Sequence, residues 1–257
     1  MKNIKPSTVH FVGAGPGDAE LITVKGMRLL KEAGVVIYAG SLVQKAMLKY
    51  CKAGVKLFDS AGMNLQEITS LMVSSAKAGK KVVRLHSGDP SLYGAIREQT
   101  VVLDQADIAY AMVPGVSSAF ASAAALKAEL TMPEASQTVI FTRLAGRTPV
   151  PEKESLAGLA AHNATICVFL SSAMISSVVR ELKKGYPAST PAAIVYRASW
   201  PDEFIITGTL KDIAKKARVA GIKSQAMIIV GRALSKARLG DKKSKLYDTD
   251  FRHAFRN

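Results

Sequence analysis

Cysteine, long apolar runs and metal-ligand patterns are scarce or missing in this 257-residue sequence. Its two cysteines, Cys51 and Cys167, lie far apart in apolar surroundings, which excludes a disulfide framework and is typical of a reducing cytoplasm. No apolar run reaches the roughly 20 residues that cross a bilayer, and no signal-peptide segment precedes the first apolar run. Histidine and cysteine never occur at metal-ligand spacing, and the phosphate-loop pattern is missing. We therefore expect a cytoplasmic protein without a transmembrane helix or a bound metal.

Positive charge, in contrast, is in excess. The sequence holds 35 lysines and arginines against 20 aspartates and glutamates, a formal net charge of +15. Such an excess favours an anionic partner: a nucleic acid, an anionic membrane or an acidic small molecule. Zinc-finger spacing, aromatic RNA-binding motifs and basic heptads are missing, so nucleic acid stays possible but unsupported. Our expectation is no nucleic acid and no membrane as partner, and solubility alone would also account for the charge. The basic residues at 236–238 and 241–245 are typical of a solvated tail.

Short apolar runs alternate with amphipathic segments in the first half, which predicts an α/β domain with a parallel sheet. There we expect strands at 9–12, 35–38, 81–85 and 108–113 and helices at 21–32, 65–78 and 117–127. Thr23 is predicted to cap the first of these helices. In the second half we expect strands at 138–142, 165–170, 192–196, 204–209 and 227–230 and helices at 172–184 and 210–219. The predicted domains are 1–115 and 116–240, followed by a basic tail at 241–257.

Three glycine-rich turns each follow an apolar run of the first half. They are Gly13-Ala14-Gly15-Pro16-Gly17, Ser87-Gly88-Asp89-Pro90 and Pro114-Gly115-Val116-Ser117-Ser118. The carboxyl ends of parallel strands meet at one edge of a sheet, and ligands bind at that edge. The sequence therefore predicts a ligand site built from these turns.

The first turn resembles a dinucleotide-binding fingerprint but fails it. Asp18 takes the place of the third glycine, the second strand ends without an acidic residue, and Pro16 has no N–H for a pyrophosphate. In the second turn, Asp89 has two interpretations: the N-cap of a helix that begins at Pro90, or a ligand for a ribose or amino group.

The third turn is close to a nucleophile elbow, with Ala119 in place of the last glycine. A serine hydrolase would need His162 or His253 to complete its triad, and nothing else supports that chemistry. Ser117 and Ser118 are therefore interpreted as helix-capping residues or as hydroxyls that face a ligand.

Together, the segments 12–17, 87–90 and 113–116 resemble the tetrapyrrole (class III) methyltransferases, and the resemblance covers nearly the whole chain. The segments 38–43, 131–151 and 246–256 are similar to the precorrin-4 C-11 methyltransferases of cobalamin biosynthesis. The resemblance implies two α/β domains, with a parallel sheet in the first and a mixed sheet in the second. It further implies S-adenosylmethionine in the cleft between them, a polycarboxylate precorrin-4-type tetrapyrrole as substrate, methylation at C-11, and a homodimer.

The resemblance also implies a set of cofactor-binding positions, carried over residue by residue: Pro16, Ser87, Gly88, Asp89, Leu92, Ser117, Ser118, Leu170, Ser171, Ala198 and Ala226. The chain departs from its relatives at four of these places. Ser117-Ser118 replaces Thr-Ala, Leu170 a methionine, Ala198 a glycine and Ala226 a proline.

Arginine binds carboxylates through its planar fork, so a polycarboxylate substrate points to arginines at the strand-end loops. Arg143 and Arg147 are the favoured substrate-binding residues, followed by Tyr93, Arg97 and Arg197. No catalytic residue is predicted, because the sulfonium is an activated methyl donor and the nucleophile is a ring carbon of the substrate.

Three alternatives stay open at this point. One is an RNA 2′-O-methyltransferase of the same fold, which the positive charge would suit equally well. Another is a methyltransferase that acts at a different precorrin stage. The third is a non-catalytic protein that keeps the ligand pocket. The sequence also leaves open whether the tetrapyrrole contains cobalt.

Overall fold

The computed structural model describes residues 6–235 and 252, which fall into two compact units. Unit 1 comprises Met1–Ala121 with Ala198–Asp202, and unit 2 comprises Ser122–Arg197 with Glu203–Asn257. The basic residues at 236–238, the predicted tail at 241–257 (except Arg252), the family-like ending 246–256 (with the same exception) and His253 lie outside the described residues. Within the described part of the chain, no helix is long and apolar enough to cross a membrane.

Unit 1 is built on an all-parallel sheet of five strands in the order β3-β2-β4-β1-β5, as predicted. The strands are β1 (Val9–Gly13), β2 (Val35–Tyr38), β3 (Lys56–Asp59), β4 (Val82–His86) and β5 (Tyr110–Val113). The helices are α1 (Val24–Glu32), α2 (Leu65–Lys77), α3 (Ile96–Gln105) and α4 (Ser118–Leu126), and the division between the units falls within α4. Both faces of the central strands contribute to apolar clusters, which explains why most of their residues are apolar.

The start of α1 confirms the predicted capping residue but not the predicted first residue of the helix. The Thr23 hydroxyl accepts a hydrogen bond from the N–H of Gly26 at 3.1 Å, so Thr23 is the N-cap of α1. The helix does not extend back to Leu21, as predicted, because Ala19–Leu21 forms a separate 3-10 turn and Ile22 is extended.

One strand and two α-helices were not predicted, and each has a weak sequence signal. Strand β3 is short, exposed and lies at the edge of its sheet. Helix α3 begins after Ala95, which has a left-handed backbone and makes no side-chain cap, and it contains three consecutive β-branched residues, 100–102. Helix α5 (Leu156–Ala160) spans little more than one turn.

Unit 2 contains a mixed sheet in the order β6-β7-β10-β8-β9, as the family resemblance implied. The strands are β6 (Val139–Arg143), β7 (Thr165–Phe169), β8 (Pro191–Tyr196), β9 (Phe204–Thr209) and β10 (Ala226–Val230). Only β6 and β7 pair in parallel; the other pairs are antiparallel. Helices α6 (Ile175–Leu182) and α7 (Ile213–Val219) cover one face, and α6 starts later than predicted because Ser172–Met174 forms a 3-10 turn.

Candidate functional site

The three glycine-rich turns meet at the carboxyl edge of the parallel sheet. A Cβ atom on Gly13 would lie 2.6 Å from the Cα of Gly115 and 2.6 Å from the carbonyl oxygen of Gly88. A Cβ atom on Gly115 would lie only 2.2 Å from that same oxygen. Because these distances are shorter than any real contact, glycine alone allows the three backbones to approach each other.

Backbone hydrogen bonds join the first two turns. The N–H of Gly88 donates to the carbonyl of Gly15 at 2.7 Å, and the N–H of Gly15 donates back at 3.3 Å. The N–H of Ala14 donates to the carbonyl of His86 at 2.7 Å. The turns therefore form one continuous backbone platform at the ends of β1 and β4.

Asp89 ties the second turn to the third. One of its carboxylate oxygens accepts the N–H of Gly115 at 2.9 Å, and the other accepts the N–H and the hydroxyl of Ser91. Partial burial raises the pKa of Asp89, but the hydrogen bonds from Ser91 and Gly115 outweigh it, and the net shift is downward. The N-cap interpretation is wrong, because residues 90–93 form a turn and the next helix begins only at Ile96.

Replacing Asp89 by alanine should therefore loosen the third turn and not a helix end. If these turns bind S-adenosylmethionine, as the resemblance implies, the affinity for its demethylated product S-adenosylhomocysteine should fall about tenfold, since a hydrogen bond to a charged group is worth about 1.5–3 kcal/mol. Calorimetric titration of the Asp89→Ala protein measures this loss, and Ser91→Ala serves as a matched control that keeps the bond to Gly115. Equal affinity of the Asp89 variant and the wild type would show that the tie is dispensable.

One serine of the third turn, Ser117, caps helix α4. The buried Ser117 hydroxyl accepts the N–H of Ala119 at 3.3 Å, and Ser118 is the first helical residue. The hydroxyl of Ser117 therefore serves as a cap, which favours that interpretation over a nucleophile.

Further along the second turn, Leu92 is half-buried, Tyr93 is exposed with φ +55°, and Arg97 is exposed on α3.

The connection between β8 and β9 brings two unpredicted residues to the first turn. The indole N–H of Trp200 donates to the carbonyl of Pro16 at 2.9 Å, and Ser199 Oγ accepts the N–H of Asp18 at 2.9 Å. The preceding residue, Ala198, is buried and belongs to unit 1, although it was predicted among the contacts of the second domain. A lone tryptophan in a turn-forming stretch was the only sequence signal for this packing.

In unit 2, the predicted positions Leu170 and Ser171 follow the end of β7. Leu170 is exposed and has a left-handed backbone with φ +52°, a strained conformation of the kind found at functional sites. Ser171 is fully buried; its hydroxyl accepts the N–H of Leu144 at 2.9 Å and donates to the carbonyl of Phe169 at 2.7 Å. Ser171 therefore ties the ends of β6 and β7 together.

Arg143 and Arg147 occupy one loop but differ in their surroundings. The Arg143 guanidinium donates to the carbonyls of Thr148 at 3.0 Å and Pro149 at 2.5 Å, so it closes its own loop. Arg147 is exposed within that loop. The remaining predicted positions of unit 2, Arg197 and Ala226, lie close together. The N–H of Arg197 donates to the carbonyl of Gln225 at 2.8 Å, and Gln225 directly precedes Ala226, the first residue of β10.

A buried basic pair, Arg84 and His86, projects from β4 and was not predicted. Arg84 donates to the oxygens of Gln99, Ser60 and Ile37, at 3.2, 3.0 and 3.3 Å, all of which are neutral. Burial lowers the pKa of Arg84 to about 10, so it stays charged at pH 7. Burial, together with the charge of Arg84, lowers the pKa of His86 to about 3 and keeps its imidazole neutral.

Comparison with known proteins gives consistent matches. A family model for tetrapyrrole (corrin/porphyrin) methylases matches residues 8–214. The cobalt-precorrin-4 C(11)-methyltransferase of Methanocaldococcus jannaschii is 55% identical over 249 residues, covering 96% of this chain and 95% of that protein. The X-ray structure of the cobalt precorrin-4 methyltransferase CbiF has a TM-score of 0.86 and 49% identity, covering 89% and 96% of the two chains. The Thermus thermophilus uroporphyrin-III C-methyltransferase complexed with S-adenosyl homocysteine has a TM-score of 0.75 and 30% identity, covering 89% and 99%.

Proposed function

Because this chain belongs to the tetrapyrrole methylase family, we propose that it methylates C-11 of a precorrin-4-type tetrapyrrole in cobalamin biosynthesis, with S-adenosylmethionine as methyl donor. The observation that carries this proposal is the 55% identity to a cobalt-precorrin-4 C(11)-methyltransferase over 96% of the chain. A relative of known structure binds S-adenosyl homocysteine, the product that the donor leaves.

The fit of S-adenosylmethionine to the platform is supported by Gly88. A Cβ atom on this residue would come no closer than 3.9 Å to its neighbours, whereas the corresponding atoms on Gly13 and Gly115 would collide with backbone. The backbone of Gly88, with φ +60°, is therefore accessible to a ligand. We propose that Pro16, Ser87, Gly88 and Leu92 contact the cofactor from unit 1 and that Asp89 holds the platform in place.

The sulfonium of S-adenosylmethionine supplies an activated methyl group. In the proposed reaction a ring carbon of the tetrapyrrole forms the new carbon–carbon bond, the carbon–sulfur bond breaks, and its electron pair stays on sulfur. The protein needs to hold the carbon and the methyl group about 3–3.5 Å apart and in line with the sulfur. No protein nucleophile takes part, so the capping role of Ser117 agrees with this chemistry.

Recognition of the substrate carboxylates is assigned to the loop that contains Arg143 and Arg147. Because Arg143 already donates to two carbonyls of this loop, we propose that it sets the loop conformation and that Arg147 meets a carboxylate. Tyr93, Arg97 and Arg197 are proposed as further contacts.

Replacing Arg147 by alanine should lower the affinity for the tetrapyrrole about tenfold and leave the affinity for S-adenosylhomocysteine unchanged. Arg147→Lys should recover only part of the loss, because an ammonium group cannot form the bidentate fork. The steady-state KM for the tetrapyrrole measures the first effect, and calorimetric titration with S-adenosylhomocysteine measures the second. An exposed arginine of α6, replaced in Arg180→Ala, is the matched control. An unchanged tetrapyrrole KM in Arg147→Ala would move the carboxylate site elsewhere.

We also propose that the protein is cytoplasmic and that it forms a homodimer. The family resemblance supports the dimer, and the state of the cysteines supports the compartment. Both cysteines are free, and Cys167 is buried in β7, where burial raises the pKa of its thiol to about 12 and keeps it unreactive. Light scattering should give twice the chain mass of 27.3 kDa; a single-chain mass at micromolar concentration would contradict the dimer.

The function itself is tested by mass analysis of a precorrin-4-type macrocycle, metal-free and cobalt-loaded, incubated with S-adenosylmethionine. We expect a gain of one methyl group on the macrocycle. Binding of the cofactor without any methylated product would support the non-catalytic alternative, and methylation of RNA would support the ribose methyltransferase.

A further inference from the structure

The first glycine turn is held by two separate sets of contacts. Its first half, Gly13 to Gly15, is fixed by the other two turns. Its second half, Pro16 to Asp18, is fixed by Ser199 and Trp200, which we call the Trp200 clamp. The clamp comes from a segment, Ala198–Asp202, that is continuous in sequence with β8 and β9 but belongs to unit 1.

The clamp contacts every residue of this second half. Trp200 donates its indole proton to the carbonyl of Pro16, and Ser199 accepts the N–H of Asp18, both at 2.9 Å. Between them, the indole lies directly against Gly17, where a Cβ atom would come within 2.1 Å of Trp200 Cδ1. The three atoms nearest to that Cβ position all belong to the indole. Gly17 is therefore a glycine because Trp200 occupies the space of a side chain.

The backbone of the clamp is strained. Ser199 has φ +66°, a left-handed conformation that non-glycine residues seldom adopt. Such a conformation persists only where the surrounding contacts determine it, and strain of this kind concentrates at binding sites. The hydrogen bonds and the packing on Gly17 are the contacts that do so here.

The chemistry of Pro16 indicates the function of the clamp. It has no N–H, and its carbonyl oxygen accepts the indole proton, so it offers a ligand only its ring and the shape of the turn. We propose that Ser199 and Trp200 are positioning residues for S-adenosylmethionine, which fix Pro16 to Asp18 in the conformation that binds it. This inference rests on the proposed function, because it assumes that the first turn meets the cofactor.

Two single variants disturb the contact between Trp200 and the first turn, one by changing Trp200 and the other by changing Gly17. Trp200→Phe keeps a ring but removes the donated proton, and Gly17→Ala pushes the indole away without backbone strain, since Gly17 has no left-handed φ. Each should raise the Kd for S-adenosylhomocysteine about fivefold, the effect of one lost hydrogen bond. The KM for S-adenosylmethionine should rise in parallel, while kcat at saturating cofactor and the KM for the tetrapyrrole should stay unchanged.

Matched controls separate positioning from loss of stability. Tyr186→Phe also removes an aromatic donor from a backbone carbonyl, that of Ala164, but does so in the core of unit 2. Gly62→Ala adds a methyl group where no atom of the described residues lies within 4 Å. Both controls should bind S-adenosylhomocysteine like the wild type, even though Tyr186→Phe lowers the melting temperature.

A double-variant cycle tests whether Gly17 and Trp200 act through each other. In a Trp200→Ala background, Gly17→Ala should cost no further affinity, because its obstacle is gone. If Trp200→Phe and Gly17→Ala bind the cofactor product as well as the wild type does, the clamp is structural only and the inference is wrong. If the wild type itself fails to bind, the proposed function is wrong instead.

Discussion

Replacing Gly115 by alanine is expected to lower kcat/KM by about 100-fold, the cost of displacing a binding group by about 1 Å. The added Cβ atom would lie 2.2 Å from the carbonyl oxygen of Gly88 and 2.8 Å from the Cα of Gly13. These neighbours are backbone atoms at the ends of two buried strands, so they cannot rotate away as a side chain can. The platform must open, and the bond from the Gly115 N–H to Asp89 stretches with it.

Overpacking at this position should also cost about 1–3 kcal/mol of unfolding free energy. Urea unfolding followed by circular dichroism measures that cost, and titration with S-adenosylhomocysteine measures the loss of binding. Gly62→Ala is the control, since its new methyl group meets no atom within 4 Å in the part of the chain that the structure describes. A Gly115→Ala protein with wild-type affinity would contradict the close approach of the three turns.

The second large effect is an acid sensitivity that comes from His86. Burial and the adjacent Arg84 lower the folded-state pKa of this imidazole to about 3, whereas in the unfolded chain it titrates near its ordinary value of 6.5. Below pH 6.5 the unfolded chain therefore binds a proton that the folded chain does not bind until about pH 3. The unfolding free energy should fall through this window by about 1.4 kcal/mol per pH unit, giving a loss of about 2 kcal/mol between pH 7 and pH 5.

Urea unfolding at several pH values between 7 and 5 tests this expectation. His86→Phe should flatten most of the pH dependence, because it removes the titrating group and Nε2 of His86 has no hydrogen-bond partner among the described residues. His162→Gln, at an exposed position, is the matched control and should keep the wild-type slope. His10, whose pKa is lowered mainly by burial, accounts for a smaller remaining slope. An unchanged slope in His86→Phe would show that the imidazole does not titrate as described.

Much of the fold could be predicted because every strand except β3 lies within a mainly apolar run with clear ends. Strands β2 and β9 occupy the predicted residues, and Thr23 caps α1 as predicted. Helix α3 could not be predicted, since its start has no capping side chain and its middle is β-branched. Its late start also explains why Asp89 is not a helix cap.

At the site, the sequence could predict that three glycine turns would meet, because each follows a strand of one parallel sheet. It could not predict which backbones would touch, or that the Asp89 and Ser171 side chains would be engaged within the protein. Trp200 is distant in sequence from Pro16, and no local pattern links the two residues. Contacts of this kind depend on tertiary packing, which periodicity does not encode.

Isotope labelling tests whether the protein transfers a methyl group to C-11. The protein is incubated with a precorrin-4-type macrocycle, metal-free or cobalt-loaded, and S-adenosylmethionine that carries carbon-13 in its methyl group. Carbon-13 NMR of the isolated product should show one labelled methyl group bonded to ring carbon C-11. A label at another ring carbon, or no label on the macrocycle, would show that the protein does not methylate C-11.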